Sequence, residues 1–297
     1  MQIVSFGEVL WDVFPDREFL GGAPLNFCAA AARLGNAAAL LTAVGTDRRG
    51  TGAIEGMAAL ELTTEFVQVS AKHTTGAAIV VTDSHGNASY VIDRPAAFDD
   101  VSIDEPLLAR LEAIEPDWLY FGTLAPFEAT SEQALMRIAT RLSGVRRFYD
   151  LNLRDGHWDL PLVQRLSGMA TIMKLNETEA ELLSNLTLAA TPYSLEAFCL
   201  YWSALYRIET ICVSLGSEGC AIFSDGTLKT YPGFPVDVVD TVGAGDAFSA
   251  ALLHGFHLGW PVERTAEFAN AVGATVASRA GATPAWTTED PLRLIAV

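Results

Sequence analysis

The chain has 297 residues, half of them hydrophobic, enough to bury a large core. Its formal charge of −17 argues against a nucleic-acid partner, which would require a basic surface. It carries only three lysines, Lys72, Lys174 and Lys229, so a phosphate site is expected to rely on backbone amides, metal or arginine.

The first segment, MQIVSFGEVLWDVF, lacks a basic leader and meets Glu8 and Asp12 too early for a signal peptide. No apolar run approaches the roughly 20 residues of a membrane span. Cys28, Cys199, Cys212 and Cys220 sit among apolar neighbours without a CxxC pair, as buried thiols in a reducing compartment do. A soluble, cytoplasmic protein is expected, with no membrane partner.

Residues 2–6, 38–44, 117–121, 146–150, 171–174 and 210–214 are short apolar runs bounded by turn residues, which predicts buried parallel strands. Helical spacing covers Pro24–Leu34, Gly50–Leu60, Glu128–Leu142 and Glu177–Leu186. The alternation predicts an α/β fold, one domain over 1–297 whose mostly parallel sheet is covered by helices on both faces. Residues 10–20 and 65–93 break it with short alternating runs (EFVQVS, GAAIVVTD, ASYVID) and a turn at Ser84-His85-Gly86-Asn87. They are read as a small β lid. The last third is read as strands near 219–238 and helices near 243–258 and 262–279.

The chemistry concentrates in Asp240-Thr241-Val242-Gly243-Ala244-Gly245-Asp246. A Gly-Ala-Gly turn at a helix start leaves N–H groups free of side chains, an anion hole at the positive end of the helix dipole. A carboxylate there would repel a phosphate unless it has a task, and taking a proton from an attacking hydroxyl is such a task. A plain helix-start aspartate is the alternative for a bare GxGD, but the whole DTVGAGD string is more specific.

That string resembles the C-terminal signature of the PfkB (ribokinase-like) carbohydrate kinases. Leu20-Gly21-Gly22-Ala23-Pro24-Leu25-Asn26 resembles their N-terminal signature, about 220 residues earlier. The resemblance runs end to end and implies a three-layer α/β/α sandwich with a β lid. It also implies ATP-dependent phosphorylation of a sugar, with Asp246 as base and Gly243, Ala244 and Gly245 as the anion hole. Gly21 and Gly22 would let backbone approach the sugar, and Asn26 would bind its hydroxyls. Asp12 matches an acidic position of the family and is a second hydroxyl acceptor.

Asn176-Glu177-Thr178-Glu179 resembles the family's NxxE motif, so Asn176 and Glu179 are expected at Mg²⁺, largely through water, although the same spacing makes a helix cap. Ser214, Gly216 and Gly219 fall in a segment similar to the nucleotide loop, with Thr241 and Asn270 also on the nucleotide side. Ala274 lies near Asn270, and ordinary helix packing explains both almost as well. Asp240 and residues 279–282 lie where family members bind a monovalent cation, so K⁺ is a further candidate; Ala285 stands where a serine sometimes contributes.

Asp150-Leu151-Asn152-Leu153-Arg154 with Trp158, and Arg94-Pro95-Ala96-Ala97, resemble segments of the fructokinase-like branch. They nominate Asn152, Arg154 and Arg94 as acceptor residues. Fructose is favoured, with 2-keto-3-deoxygluconate, ribose and nucleosides as alternatives; the lid is the expected surface for a homodimer. A non-catalytic sugar sensor would be expected to lack Asp246, the glycines or the Asn176/Glu179 pair, and all are present. The chain has no GxxxxGK[ST], GxGxxG or GxSxG segment, which disfavours a P-loop kinase, a dinucleotide dehydrogenase and an α/β-hydrolase. His254 and His257 are spaced to face one ion but lack a third ligand, and a structural role is favoured.

Overall fold

A computed structural model describes residues 1–82, 88–188 and 192–296. In chain order its elements are β1 (Gln2–Phe6), β2 (Leu10–Val13), β3 (Glu18–Gly21), α1 (Ala23–Arg33), β4 (Ala37–Gly45), α2 (Arg48–Ala59), β5 (Val67–Ser70), β6 (Gly76–Thr82) and β7 (Ala88–Asp93). There follow α3 (Glu105–Ala113), β8 (Trp118–Phe121), α4 (Ala129–Arg141), β9 (Arg146–Asp150), α5 (Leu160–Ser167), β10 (Ile172–Asn176), α6 (Glu177–Thr187) and α7 (Leu195–Tyr206). The last are β11 (Thr210–Ser214), β12 (Cys220–Ser224), β13 (Thr227–Tyr231), α8 (Ala244–His257), α9 (Val262–Ala277) and α10 (Glu289–Ile295).

All six apolar runs form strands of one nine-stranded sheet, in the order β13-β12-β11-β10-β9-β8-β1-β4-β5. It is parallel from β11 to β5, with β12 and β13 antiparallel at one edge. Successive residues of a strand face opposite sides, and β1 shows what that requires. Val4 and Phe6 enter a core shared with α3 to α7 (Leu111, Leu135, Leu166, Trp202), while Ile3 enters another shared with α1, α2, α8 and α9 (Phe27, Met57, Leu252, Val272). Apolar residues on both faces make the runs continuous rather than alternating, and the result is three layers.

The lid is a second sheet of four strands in the order β3-β2-β6-β7. Asp12 stands opposite Phe19 on one side and Ala78 on the other, so all three share a face. The lid is narrower than its sequence suggests. The EFVQVS run is β5, which pairs with β4 and forms the edge of the main sheet. Its alternation reflects half-exposure at an edge, where Gln68 exchanges amide hydrogen bonds with Ser102 N and O at 3.1 and 2.7 Å. The turn read at 84–87 lies outside the described residues. Asp47 caps α2 through Gly50 N at 2.8 Å and accepts from Thr75 N at 2.7 Å, which ties the base of β6 to the main body. The strands near 219–238 stop at Tyr231, because Pro232 and Pro235 remove backbone donors.

Candidate active site

Segments following the carboxyl ends of β1, β9, β10 and β11 gather along one edge of the sheet, beside the place where strand order turns from β1 to β8. Ligands of open α/β sheets bind at such an edge. The start of α8 faces it. Gly243 holds φ +77°, and a Cβ there would stand 2.1 Å from the Ala282 carbonyl oxygen, so only glycine fits. Asp240 braces the turn by accepting from Val242 N at 3.0 Å and Gly281 N at 3.1 Å. Among the described residues no side chain caps α8; Ala244 N is taken by the Thr241 carbonyl, which leaves the N–H groups of Gly245 and Asp246 for a ligand.

Asp246 lies in that first turn and does not cap it; its Oδ2 accepts from Asn26 Nδ2 at 2.8 Å. The two signatures, 220 residues apart in sequence, thus meet in one hydrogen bond. Asn26 is 6% exposed, and its Oδ1 has no donor among the described residues. A buried acceptor left open beside a carboxylate is a place for a ligand hydroxyl. Burial, then the negative charge of Asp150, push the Asp246 carboxyl up to about 6, while Asn26, Lys174 and Arg154 oppose the rise.

Gly21 and Gly22 make room first for the chain itself. A Cβ on Gly21 would stand 2.8 Å from Asp12 Oδ2, and one on Gly22 2.5 Å from the Glu8 carbonyl. Asp12 is thereby set against the glycine pair, within electrostatic reach of Arg154 and Asp240. Burial raises its pKa, against the pull of Arg154. Glu8, 5% exposed, is pushed by burial up to about 7, with Arg154 lowering it and Asp246 raising it further. Arg154 is the cation that these three carboxyls share. Its one side-chain hydrogen bond among the described residues goes to the neighbouring Leu153 carbonyl at 3.2 Å, and the guanidinium is exposed. Asn152 takes a left-handed φ of +44°, and Leu153 N donates to Glu179 Oε1 at 2.7 Å, which straps this loop to α6.

Asn176 and Glu179 form a reciprocal capping box: Glu179 N donates to Asn176 Oδ1 and Asn176 N to Glu179 Oε2, both at 2.9 Å. The capping role is therefore present. Ser214 ends β11, where its hydroxyl donates to the Leu175 carbonyl at 3.4 Å, and Gly216 and Gly219 form the β11–β12 turn with φ +62° and +102°. Asn270 donates to the Tyr231 and Pro232 carbonyls at 3.2 and 3.0 Å, joining α9 to the chain after β13. Thr241 is exposed and its carbonyl accepts from Ala244 N at 3.3 Å.

Arg94 departs from expectation. Its side chain, 7% exposed, pairs with Asp99, donates to the Leu124 carbonyl at 3.2 Å, and lies against Phe98 and Phe127. A guanidinium so fully engaged braces the end of the lid instead of reaching for an acceptor. His254 approaches Asn36 at 3.1 Å and packs on Trp260, a structural role.

Four residues at the site escaped the sequence reading: Glu8, Lys174, Tyr120 and Ser249. Lys174 stands beside the glycine turn: a Cβ on Gly245 would stand 3.4 Å from its Nζ. Its signal was a charged residue inside the apolar strand IMKLN, a position lysine rarely takes without a partner.

Known proteins resemble this chain in sequence and in fold. The pattern of the family described as pfkB family carbohydrate kinase matches residues 4–289. Fructokinase-2 of Zea mays is 28% identical over 312 residues, covering 95% of this chain and 90% of its own. The structure of fructokinase with bound ATP from Xylella fastidiosa superposes with a TM-score of 0.85 at 24% identity, covering 99% of this chain and 98% of its own. That of 2-dehydro-3-deoxygluconokinase from Thermotoga maritima gives 0.84 at 20% identity, covering both chains fully (100%). At such identities the two structures speak for the fold alone.

Proposed function

The chain belongs to the pfkB family of carbohydrate kinases, and from that premise we propose that it transfers the γ-phosphoryl group of ATP to a hydroxyl of fructose. The observation that carries this reading is the Asp246–Asn26 pair at the uncapped start of α8. The acceptor hydroxyl sits against Asp246 and donates to neither the turn nor the lid; Asn26 Oδ1 takes a second hydroxyl of the same sugar. Asp246 removes the proton as the hydroxyl attacks, and the N–H groups of Gly245 and its neighbours hold the charge on the transferred group. Asp12 and Arg154 orient the sugar from above.

Mg²⁺ would supply charge neutralisation of the phosphates. Asn176 and Glu179 suit it as hard oxygen donors, and their backbone hydrogen bonds leave lone pairs for its waters. Asp240 and the Ala282 carbonyl, which converge behind Gly243, are the groups we assign to K⁺. Exposed Phe19, Ile79 and Val91 support the lid as the surface for a homodimer. Four free, buried thiols suit the cytoplasm.

The exposed guanidinium of Arg154 favours a second acceptor, 2-keto-3-deoxygluconate, whose carboxylate it could clamp. ADP release with ATP and Mg²⁺ across fructose, 2-keto-3-deoxygluconate, ribose, adenosine and glucose separates the two. Highest kcat/KM on fructose supports the first reading, a preference for the keto acid the second, and no turnover on any acceptor defeats both.

A further inference from the structure

Under the glycine turn lies a group of buried polar side chains that proton abstraction and sugar binding leave unexplained. Asp150, the last residue of β9, is 1% exposed and stands in register with Lys174 on β10. Lys174 Nζ lies 3.1 and 3.4 Å from its two carboxylate oxygens, Ser249 Oγ 2.8 Å and Tyr120 OH 3.2 Å from Oδ2. Ser249 Oγ is also 2.9 Å from the Gly245 carbonyl. With Lys174 Nζ 3.4 Å from the Cβ position of Gly245, the cluster meets the turn from below at two points.

Stability alone does not call for this pair. Desolvating two charges offsets most of their attraction, and apolar residues at paired strand positions commonly do as well or better. On the same face of the sheet, Ile172 and Cys212, which is in register with Lys174, are both fully buried, so an apolar side chain would suit the position.

We propose that Asp150 and Lys174 are a positioning pair for phosphoryl transfer, which fixes the Gly243–Gly245 turn from below and places its two charges beside Asp246. The proposal rests on the kinase reading with Asp246 as base. The groups that face Asp246 are Asp150 from β9, Lys174 from β10, Tyr120 from β8, Arg154 from the loop after β9, Glu8 from the loop after β1 and Asn26 from α1. After burial, Asp150 is the strongest influence that makes Asp246 more basic, and Lys174 and Arg154 are the cations that restrain it. The balance leaves Asp246 ionised at neutral pH yet a stronger proton acceptor than an ordinary aspartate.

The test is Asp150→Asn in the full chain, with the Asp246 carboxyl followed by ¹³C NMR on aspartate-labelled protein and identified by its loss in Asp246→Asn. The expected midpoint falls by about one pH unit, the scale of a close charge, and the acid limb of kcat/KM moves with it. Because Asp150→Asn leaves a buried lysine unpaired, the double variant Asp150→Asn/Lys174→Met is measured as well. Its midpoint is expected between those of the single variant and wild type. An Asp246 titration unmoved in both folded variants overturns the proposal, even if melting temperature drops, since that is all a structural pair would do. Lack of turnover by the wild type on every acceptor defeats the kinase reading separately, while the NMR titration still decides whether the pair controls Asp246.

Discussion

Replacing Asp246 by Asn isolates the base from the rest of the site. The amide keeps the shape and its oxygen can still accept from Asn26 Nδ2, now 2.8 Å away. With a carboxyl that titrates at about 6, roughly nine-tenths of the wild-type protein carries a competent base at pH 7. Loss of a general base costs about 10²–10⁴-fold, or roughly 3–5.5 kcal/mol in the barrier. Stability should move the other way. A carboxyl raised from 3.8 to about 6 binds its proton more tightly in the folded protein than in the unfolded chain. Stability therefore falls as pH rises through that window and stays lower above it, by at most about 3 kcal/mol. Asn removes this cost at pH 8 and almost none of it near pH 4. Single-turnover rates, ATP calorimetry and melts at the two pH values check the three parts. A near-normal rate, or a stability gain equal at both pH values, would refute the assignment.

Arg154→Ala should raise the acceptor KM about tenfold or more with the ATP KM nearly unchanged, and should shift the acid limb to higher pH, because Arg154 lowers Asp246, Asp12 and Glu8 together. Selective loss of ATP affinity would place it on the phosphate side. Asn176→Ala and Glu179→Ala should each raise the Mg²⁺ needed for half-maximal rate; unchanged titrations with about 1 kcal/mol lost in melts would leave only the capping box. Gly243→Ala, at φ +77° and 2.1 Å from the Ala282 carbonyl, should cost more than about 1 kcal/mol and most of the activity. Gly216→Ala, at φ +62° with open space around it, should cost less in both assays.

Continuous apolar runs made the parallel strands legible, since β1 and β8 are packed on both faces and, Ser5 apart, bury only apolar and aromatic residues. Alternation was a poorer guide. It marks a half-exposed strand without saying which sheet that strand joins, and so β5 passed for part of the lid. Asp246 and Asn26 stood out because each lies in a motif of small residues, and the structure joins the two motifs by one hydrogen bond. Arg94 misled for the opposite reason: a resemblance gave its place in the chain but not Asp99, five residues on, which claims its guanidinium. Glu8 and Lys174 could not be found from their neighbours in sequence, because their meaning lies in Asp246 and Asp150, supplied by distant elements.

The remaining difficulty is how a chain of net charge −17 holds a nucleotide. The acidic residues around the turn are each neutralised or turned aside. Asp150 is matched by Lys174, and the Asp240 carboxylate is directed at Val242 N and Gly281 N behind the turn. Asp246 and Glu8 are raised by burial toward the point where they carry less than full charge near neutrality. What the turn then presents outward is the uncapped N-terminus of α8, with a buried ammonium behind Gly245. Charges farther than about 8–10 Å are screened at ordinary ionic strength. The overall acidity therefore acts weakly at the site, and the few groups within reach of the turn decide whether a phosphate is welcome there.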